Sequence, residues 1–256
     1  MHSELFTIGG FTVHSFGVMI AIGILAAYYT CTYRAGRMNL DIQNIDTIAL
    51  VILAGGILGA KVLYWMTQIS QIIQNPRLLL DFTNGFVLYG GIIGGVLAGV
   101  CYSRIKQISF PIYSDLVIPS IALAQGFGRI GCFLAGCCYG QEVSGRFGVR
   151  FPEGVSAPAG VNLLPTQLIS SGLDFLLFLI LIIYAKRKKS DGQVTALYMT
   201  LYSGGRFVLE YFRGDLERGS IGQLSTSQFI SLFIFAAGCV SFAVMQYKDN
   251  LNVKRA

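Results

Sequence analysis

The chain has 256 residues, of which 54% are hydrophobic and only 12% are charged, and its mean hydropathy is +0.61. Soluble domains carry roughly 25% charged residues, so this composition argues against a disordered chain, a coiled coil or a nucleic-acid module. The 31 glycines also favour a membrane interior, since Gly is more frequent in transmembrane helices than in soluble ones. The net charge of +6 comes from basic loops rather than from a patch for an acidic partner. The composition predicts a polytopic membrane protein.

Seven apolar stretches approach the ~20 residues that a spanning helix needs. In chain order they cover residues 13–33, 45–66, 86–102, 114–137, 167–185, 194–212 and 227–247. We therefore expect an all-α fold of seven transmembrane helices, forming a single integral-membrane domain over residues 1–256. The Gly/Pro-rich loop at 139–166 has a length that is typical of functional lids and binding loops.

The distribution of Lys and Arg predicts the orientation in the membrane. The odd-numbered loops and the C-terminal tail hold Arg34, Arg37, Arg104, Lys106, Lys186, Arg187, Lys188, Lys189, Lys248, Lys254 and Arg255. The N-terminal tail and the even-numbered loops hold only Arg77, Arg146, Arg150, Arg213 and Arg218. The positive-inside rule then places the N-terminus and the loop at 139–166 outside and the C-terminus in the cytoplasm. The first ten residues contain Glu4 and no Lys or Arg, which argues against a cleavable signal peptide.

Arg129 is the first candidate site residue, because a charge inside a bilayer costs at least ~2.5–3.5 kcal/mol. It lies among Gly126, Gly128 and Gly131, and small residues allow a ligand or another backbone to come close. The guanidinium offers a planar fork of donors that suits a phosphate. The structural alternative is an ion pair with Asp115 or Glu210.

A second group of charges lies in the sixth apolar stretch. Tyr202, Arg206, Glu210 and Arg213 follow a spacing that would put all four on one face of a helix. Arg206 and Glu210 can neutralise each other, but such a pair does not explain a polar stripe that continues outward to Arg213 and Asp215.

The stretch from Leu88 to Gly99 contains G-x-x-x-G spacings that favour close helix packing. No strand or βαβ context accompanies it, so it is not a dinucleotide-binding loop. Tyr89 at its start is either a core or interfacial tyrosine or a hydroxyl that faces the site.

Six cysteines are present, and Cys132, Cys137 and Cys138 cluster after Arg129. A zinc site usually shows C-x₂₋₄-C pairs with further His or Cys, and the two histidines lie far off, at positions 2 and 14. Buried thiols that pack as small hydrophobic groups are therefore the favoured interpretation, with a disulfide or a nucleophilic thiol as alternatives. No metal and no other cofactor is expected.

Several motifs in order resemble the prolipoprotein diacylglyceryl transferase family over nearly the whole chain. The most specific is Y-x-x-x-R-F-x-x-E-x-x-R, from Tyr202 to Arg213. The others are V-H-S-F-G-V-M (Val13–Met19), G-A-K-V-L-Y (Gly59–Tyr64), D-L-V-I-P leading into G-R-I-G (Asp115–Gly131) and L-P-T-Q-L (Leu164–Leu168). Each motif is weak alone, and their order and spacing are together specific.

The resemblance implies a seven-span enzyme of the bacterial plasma (inner) membrane that acts in lipoprotein biosynthesis. It would move the diacylglyceryl group of phosphatidylglycerol, a membrane lipid, onto the lipobox cysteine thiol of a preprolipoprotein signal peptide, releasing glycerol 1-phosphate. No nucleic acid is implied as a partner. Charge that develops on the leaving phosphate would need arginines nearby, and the attacking group would be a thiolate.

Carried onto this sequence, the resemblance makes Arg129 the arginine that binds phosphatidylglycerol and Arg206 the second essential arginine. Tyr202 and Glu210 would support Arg206, and Arg213 would lie at the outer mouth. The predicted catalytic residues are Arg129, Arg206, Tyr89 and Glu210. The predicted substrate-binding residues are Arg129, Arg206, Tyr202, Arg213, Gly90 and Gly91.

The sequence departs from the family pattern at several of these motifs. Tyr89 replaces the histidine of H-G-G, which is the favoured general base, and a tyrosine has a pKa near 10. Cys132, Ala135 and Cys137 replace Asn, Asn and Glu, Leu164 replaces a histidine and Phe16 a tyrosine. These departures favour one alternative, a relative that binds phosphatidylglycerol with another acceptor or without catalysis. The glycine-rich helices and the buried charge leave a small transporter or channel as a further alternative, although the sequence shows no internal repeat.

Overall fold

The computed structural model describes residues 4–8, 11–80, 85–145, 147–215 and 219–255, so that Arg146 and Arg218 lie outside the described residues. Eight α-helices are found in these ranges: α1 (Ser15–Arg37), α2 (Ile42–Thr67), α3 (Ile69–Gln74), α4 (Leu88–Ile105), α5 (Phe110–Ala135), α6 (Thr166–Ala185), α7 (Gln193–Glu210) and α8 (Thr226–Arg255). A 3₁₀ helix covers Pro76–Leu80. Three antiparallel strand pairs join β1 (Glu4–Ile8) to β2 (Phe11–His14), β3 (Val149–Arg150) to β4 (Asn162–Leu163) and β5 (Ser220–Ile221) to β6 (Leu224–Ser225).

Each of the seven predicted apolar stretches is a helix, with ends that differ from the expectation by at most four residues, except that α8 continues eight residues beyond residue 247. Among the described residues, six helices are long and apolar enough to cross a membrane, namely α1, α2, α4, α5, α6 and the Thr226–Asn250 part of α8. The exception is α7, whose hydropathy is lowered by Arg206, Glu210 and several other polar residues. An all-α, polytopic membrane protein is therefore confirmed.

The chain divides into two compact units, Met1–Cys31 with Ser114–Ala256, and Thr32–Tyr113. In the second unit, α2 and α4 form the main helix pair. Gly59 faces the Gly90 carbonyl and Gly55 faces the Gly94 carbonyl, so closely that a Cβ at Gly59, Gly90 or Gly94 would overlap the opposite backbone. Gly91 lies over the Gly56 carbonyl. The packing role predicted for the G-x-x-x-G spacing is therefore confirmed in this pair.

Lys61 of α2 is buried within the same unit, with 2% of its surface exposed. Its ammonium lies 5.0 Å from the centre of the Tyr64 ring and 5.2 Å from that of Phe86. It also donates to the Gly85 carbonyl at 3.5 Å. Ring faces and a carbonyl oxygen thus replace part of the water that this charge loses on burial.

In the first unit, α5, α6 and α7 meet at a core of Ala122, Leu177, Leu181 and Val194. The part of α1 in this unit packs on α5 where Gly23 meets Ala124 and Phe127, and where Gly131 meets Phe16 and Met19. The main partner of α7 is α8. Many outward leucines and isoleucines of these helices are exposed, which fits a surface that faces lipid.

The long loop predicted at 139–166 is ordered around a small core of its own. Phe151, Ala157 and Leu163 are buried there, with Phe133 at the end of α5 packed against them. The loop contains the β3–β4 pair and additional bridges between residues 142 and 163 and between 151 and 159. It therefore forms a fixed platform after α5.

Candidate active site

Arg129 lies one turn before Cys132 on α5, and its guanidinium is within electrostatic range of Tyr202, Cys132, Asp174 and Cys138. Among the described residues, no carboxylate comes within 4 Å of it. The expected alternative partner Asp115 lies fourteen residues earlier on the same helix, about 21 Å away along its axis, and pairs with Lys188 at 3.0 Å. Arg129 therefore makes neither of the ion pairs of the structural alternative.

Arg129 and Arg206 line one cleft of about 150 Å³ between α5, α6 and α7. Tyr202 and Asp174 supply the other polar groups of its wall. The remaining lining is mainly aliphatic, from Leu173, Leu176, Leu177, Ile180, Leu201 and Leu209, with Ser170 and Gly205. A cleft with cationic groups and an aliphatic wall suits a molecule that has an anionic head and hydrocarbon chains.

Arg206 is held by its own helix. Its Nη2 atom lies 2.6 Å from the Glu210 Oε2 atom, and both side chains are largely buried. One turn earlier, Tyr202 stacks on Tyr198 with ring centres 5.3 Å apart. The Tyr198 hydroxyl donates to the Gln125 Oε1 atom of α5 at 2.9 Å. The predicted Arg206–Glu210 pair thus forms, and it fixes one arginine of the cleft while Arg129 stays without a carboxylate in contact.

Asp174 of α6 was not among the predicted site residues. It is 6% exposed and lies within electrostatic range of both Arg129 and Arg206. A signal was present, since Asp174 is the single charged residue in the apolar helix α6, and ionisable residues within spans usually have functional roles.

Arg213 does not belong to the helix face that the spacing predicted, and this expectation is wrong. Helix α7 ends at Glu210, because the chain that follows pairs with the loop after α5. Residue 140 forms a bridge with Arg213, the Gln141 amide donates to the Phe212 carbonyl at 3.0 Å and the Gly214 amide to the Tyr139 carbonyl at 3.1 Å.

This pairing places the Arg213 guanidinium beside Cys138. Its Nε and Nη2 atoms also donate to the two carboxylate oxygens of Asp215 at 2.8 and 2.7 Å. Burial lowers the pKa of Arg213, but Asp215 and Cys138 outweigh this effect, so that the pKa is raised overall. Arg213 is thus a permanent cation.

The thiols of Cys132, Cys137 and Cys138 come together after α5, with all three Sγ atoms within 4.8 Å of one another. Hydrogen bonds from Cys132 and Cys137, together with the charge of Arg213, lower the pKa of Cys138 despite its burial. The pKa of Cys137 is raised, because its thiol is held in hydrogen bonds with the other two. The sequence had indicated the cluster of cysteines, but not this convergence.

The remaining predicted residues lie in the other compact unit. Tyr89 is half-buried in the first turn of α4, Gly90 packs against Gly59 and Gly91 lies over Gly56. Close helix contact accounts for both glycines. The catalytic role of Tyr89 and the substrate-binding roles of Gly90 and Gly91 stay predictions.

Comparison with known proteins places the chain in a family. The family model for "Prolipoprotein diacylglyceryl transferase" matches residues 3–244. A "Phosphatidylglycerol--prolipoprotein diacylglyceryl transferase" of Clostridium tetani is 44% identical over 97% of this chain and 99% of its own length. One of Clostridium perfringens, numbered 2, is 43% identical over 97% of both chains, and one of Clostridioides difficile is 32% identical over 99% of both. The chain belongs to the prolipoprotein diacylglyceryl transferase family.

Proposed function

We propose that this chain transfers the diacylglyceryl group of phosphatidylglycerol to the lipobox cysteine thiol of a preprolipoprotein signal peptide and releases glycerol 1-phosphate. The names of its relatives support both the lipid donor and the class of protein acceptor. The observation that carries the proposal is the cleft in which Arg129, Arg206 and Tyr202 lie beside a wall of leucines. The phosphate would bind at the arginines and the acyl chains along the aliphatic side.

We assign different roles to Arg129 and Arg206. Arg129 has no carboxylate within 4 Å among the described residues, so its donors are available for the phosphate. Arg206 is oriented by Glu210 and would add a second positive charge. Both would stabilise the negative charge that grows on the phosphate oxygen as the glycerol carbon is attacked, an effect that is large in a site from which water is excluded.

The other predicted residues have supporting roles in this proposal. Tyr202 and Glu210 hold Arg206 in place, and Arg213 lies where the loop after α5 meets the end of α7. The hydrogen-bonding role of Tyr89 and the lipid-binding roles of Gly90 and Gly91, which lie in the other compact unit, stay predictions.

We also propose the finer membrane arrangement. The chain would form one integral domain of seven spans in the bacterial plasma (inner) membrane, with the N-terminus and the loop at 139–166 outside and the C-terminus in the cytoplasm. Helix α7 is not apolar enough to be identified as a span by hydropathy alone. Two observations support counting it as the seventh span. Its two charges neutralise each other in an ion pair, and it packs between α6 and α8.

The test is an assay in membranes with labelled phosphatidylglycerol and a lipobox peptide. We expect Arg129→Ala to lower the transfer rate by at least about 100-fold, the usual effect of removing one donor that stabilises a developing oxyanion. Arg150→Ala is the matched control, because Arg150 is an exposed arginine of β3 outside the cleft, and it should retain the wild-type rate. An unchanged transfer rate in Arg129→Ala would contradict the assignment of Arg129 as the arginine that binds the phosphate.

If the wild-type chain binds the lipid but gives no lipidated peptide, the result supports the alternative, a phosphatidylglycerol-binding relative with another acceptor. Lipidated peptide from the wild type, lost in Arg129→Ala, would exclude that alternative.

A further inference from the structure

The three thiols at the C-terminal end of α5 have no role in the mechanism described so far. Cys132 lies in the last turn of the helix, and Cys137 and Cys138 lie in the segment that leaves it. Their Sγ atoms are mutually within 4.8 Å, all three residues are half-buried, and none of them forms a disulfide. The group has the donor atoms of a metal site and remains accessible to a further ligand.

The backbone holds this group in place through several independent contacts. Gly136 and Cys138 have φ angles of 70° and 60°, and a Cβ at Gly136 would overlap Val155. Thr166 Oγ1 donates to the Cys138 carbonyl at 3.0 Å, and Gln167 Nε2 donates to the Cys137 carbonyl at 2.8 Å. A non-glycine residue with positive φ costs about 1–3 kcal/mol and persists only where its surroundings impose it. Here this conformation keeps the Cys138 thiol beside the other two.

The spacing of the sulfur atoms fits a tetrahedral thiolate site. Zinc–sulfur bonds are about 2.3 Å long, so sulfur atoms around one ion lie roughly 3.8 Å apart. The three thiols need to approach by at most about 1 Å from the observed separation to reach this geometry. Thiolates select soft ions such as Zn²⁺ and Cu(I). Three protein ligands leave a fourth position open, which is the arrangement of catalytic rather than structural zinc sites.

The surrounding charges suit such an ion. Three thiolates and one divalent cation together carry a net charge of −1, and the Arg213 guanidinium beside Cys138 supplies the opposite charge. The carboxylate of Asp215 holds the guanidinium at 2.8 and 2.7 Å. Arg129 is within electrostatic range of Cys132 and Cys138, so the open position would lie next to the arginine that we assign to the lipid phosphate.

We propose that Cys132, Cys137 and Cys138 bind a zinc-class ion through three thiolates, and that its fourth position takes the thiol of the acceptor cysteine. The second half of this inference rests on the proposed function. The metal site itself does not.

The transfer step balances without a redox partner. The acceptor thiol loses its proton to solvent when its sulfur binds the ion, because a coordinated thiol is deprotonated outright. The bound sulfur attacks the carbon of the diacylglyceryl group that is bonded to the phosphate oxygen. The carbon–sulfur bond forms as this carbon–oxygen bond breaks. The electron pair of that bond stays on the phosphate oxygen, and glycerol 1-phosphate leaves. No side-chain base is needed, which accords with a tyrosine at position 89.

The first experiment measures metal in the full-length chain in lipid nanodiscs, after equilibration with Zn²⁺ and removal of free ions. We expect about one zinc ion per wild-type chain, and a loss of most of it in Cys132→Ser and in Cys137→Ser. Cys101→Ser and Cys239→Ser are the controls, since both residues are exposed and lie elsewhere, and both should keep the metal. A wild-type chain without bound zinc, or full zinc content in both cluster variants, overturns the metal site.

The second experiment needs no variant, so misfolding cannot obscure it. Co²⁺ added to the wild-type chain should give thiolate charge-transfer bands and tetrahedral ligand-field bands. A lipobox peptide with its cysteine should shift these bands, and the same peptide with serine should not. Absence of thiolate bands overturns the site, and bands that both peptides leave unchanged overturn the role of the fourth position.

These results are distinguishable from failure of the proposed function. Lipid transfer that continues at the wild-type rate in metal-free protein and in Cys137→Ser contradicts the role of the ion in the transfer, and it leaves the transferase and the metal site intact. A metal-loaded chain whose bands respond to the cysteine peptide but which lipidates nothing contradicts the transferase, while the metal site stands.

Discussion

At the scale of single residues, the charges inside the helices explain the site best. Arg129 could be singled out from the sequence because a guanidinium in an apolar span needs a reason. The sequence left open whether Arg129 pairs with a carboxylate, and the distances between the charged groups in the structure decide this question. Asp115 binds Lys188 and Glu210 binds Arg206, so both candidate carboxylates have other cations in contact. Arg129 faces a cleft instead.

Asp174 gives a prediction at this scale. The change Asp174→Asn keeps the shape of the side chain and removes a negative charge within electrostatic range of both guanidinium groups. We expect the transfer rate at saturating lipid to fall by up to about 100-fold, because a misplaced catalytic group can cost that much. Binding of phosphatidylglycerol should be retained, since the change removes a charge that repels the phosphate.

Steady-state kinetics separates these two effects. Glu153→Gln, which changes an exposed carboxylate of the loop at 139–166, is the control and should leave both rate and binding unchanged. Loss of lipid binding in Asp174→Asn, or a wild-type rate, would show that Asp174 does not position the arginines.

At the scale of elements, α7 depends on a cap that another helix supplies. Its N-cap residue is Gly192, with φ of 92° and no side chain to accept a hydrogen bond. The carboxylate of Asp115 in α5 acts as the cap and accepts hydrogen bonds from the Gly192 amide at 2.8 Å and from the Thr195 amide at 2.9 Å. It also accepts from the Thr195 hydroxyl at 2.9 Å. Free amides at a helix N-terminus favour an anion there, so Asp115 joins α7 to α5 at the end opposite to the cleft.

Two aspartates that both bind Lys188 test this cap. Asp115 is 2% exposed and Asp191 is 49% exposed. We expect Asp115→Ala to lower the free energy of unfolding by about 2–6 kcal/mol, because the Gly192 and Thr195 amides would each lose their acceptor at about 1–3 kcal/mol. Asp191→Ala should cost no more than about 1 kcal/mol, as for an exposed ion pair. Thermal unfolding in detergent measures both, and equal losses would contradict the assignment of Asp115 as the cap.

At the scale of the whole molecule, the open question for experiment is the orientation in the membrane. An epitope inserted after Gly154, in an exposed turn of the loop at 139–166, should be reached by an impermeant probe in intact cells. An epitope after Ala256 should be reached only after permeabilisation, because the basic residues follow the positive-inside rule. Labelling in the reverse order, or of both sites in intact cells, would contradict seven spans with the N-terminus outside.

Much of the fold could be predicted from the sequence because its signals are local. An apolar run of sufficient length forms a helix wherever it lies, so all seven stretches coincide with helices. The glycine pattern predicted close packing, although it did not identify α2 as the partner of α4. The end of α7 was predicted wrongly, because helical spacing alone cannot show that residues after Glu210 pair with the loop after α5.

The sequence by itself determined the membrane class, the helix positions, the family resemblance and the two buried arginines, since apolar length, buried charge and motif order are properties of the chain. Only the tertiary structure decided which groups meet. Asp174 joins the arginines because α6 packs beside α5 and α7, and Arg213 reaches Cys138 through backbone pairing between segments about seventy residues apart. The absence of a further His or Cys near the cluster in the sequence argued against a metal site. In the structure, two residues with positive φ fold the chain back and bring the three thiols together.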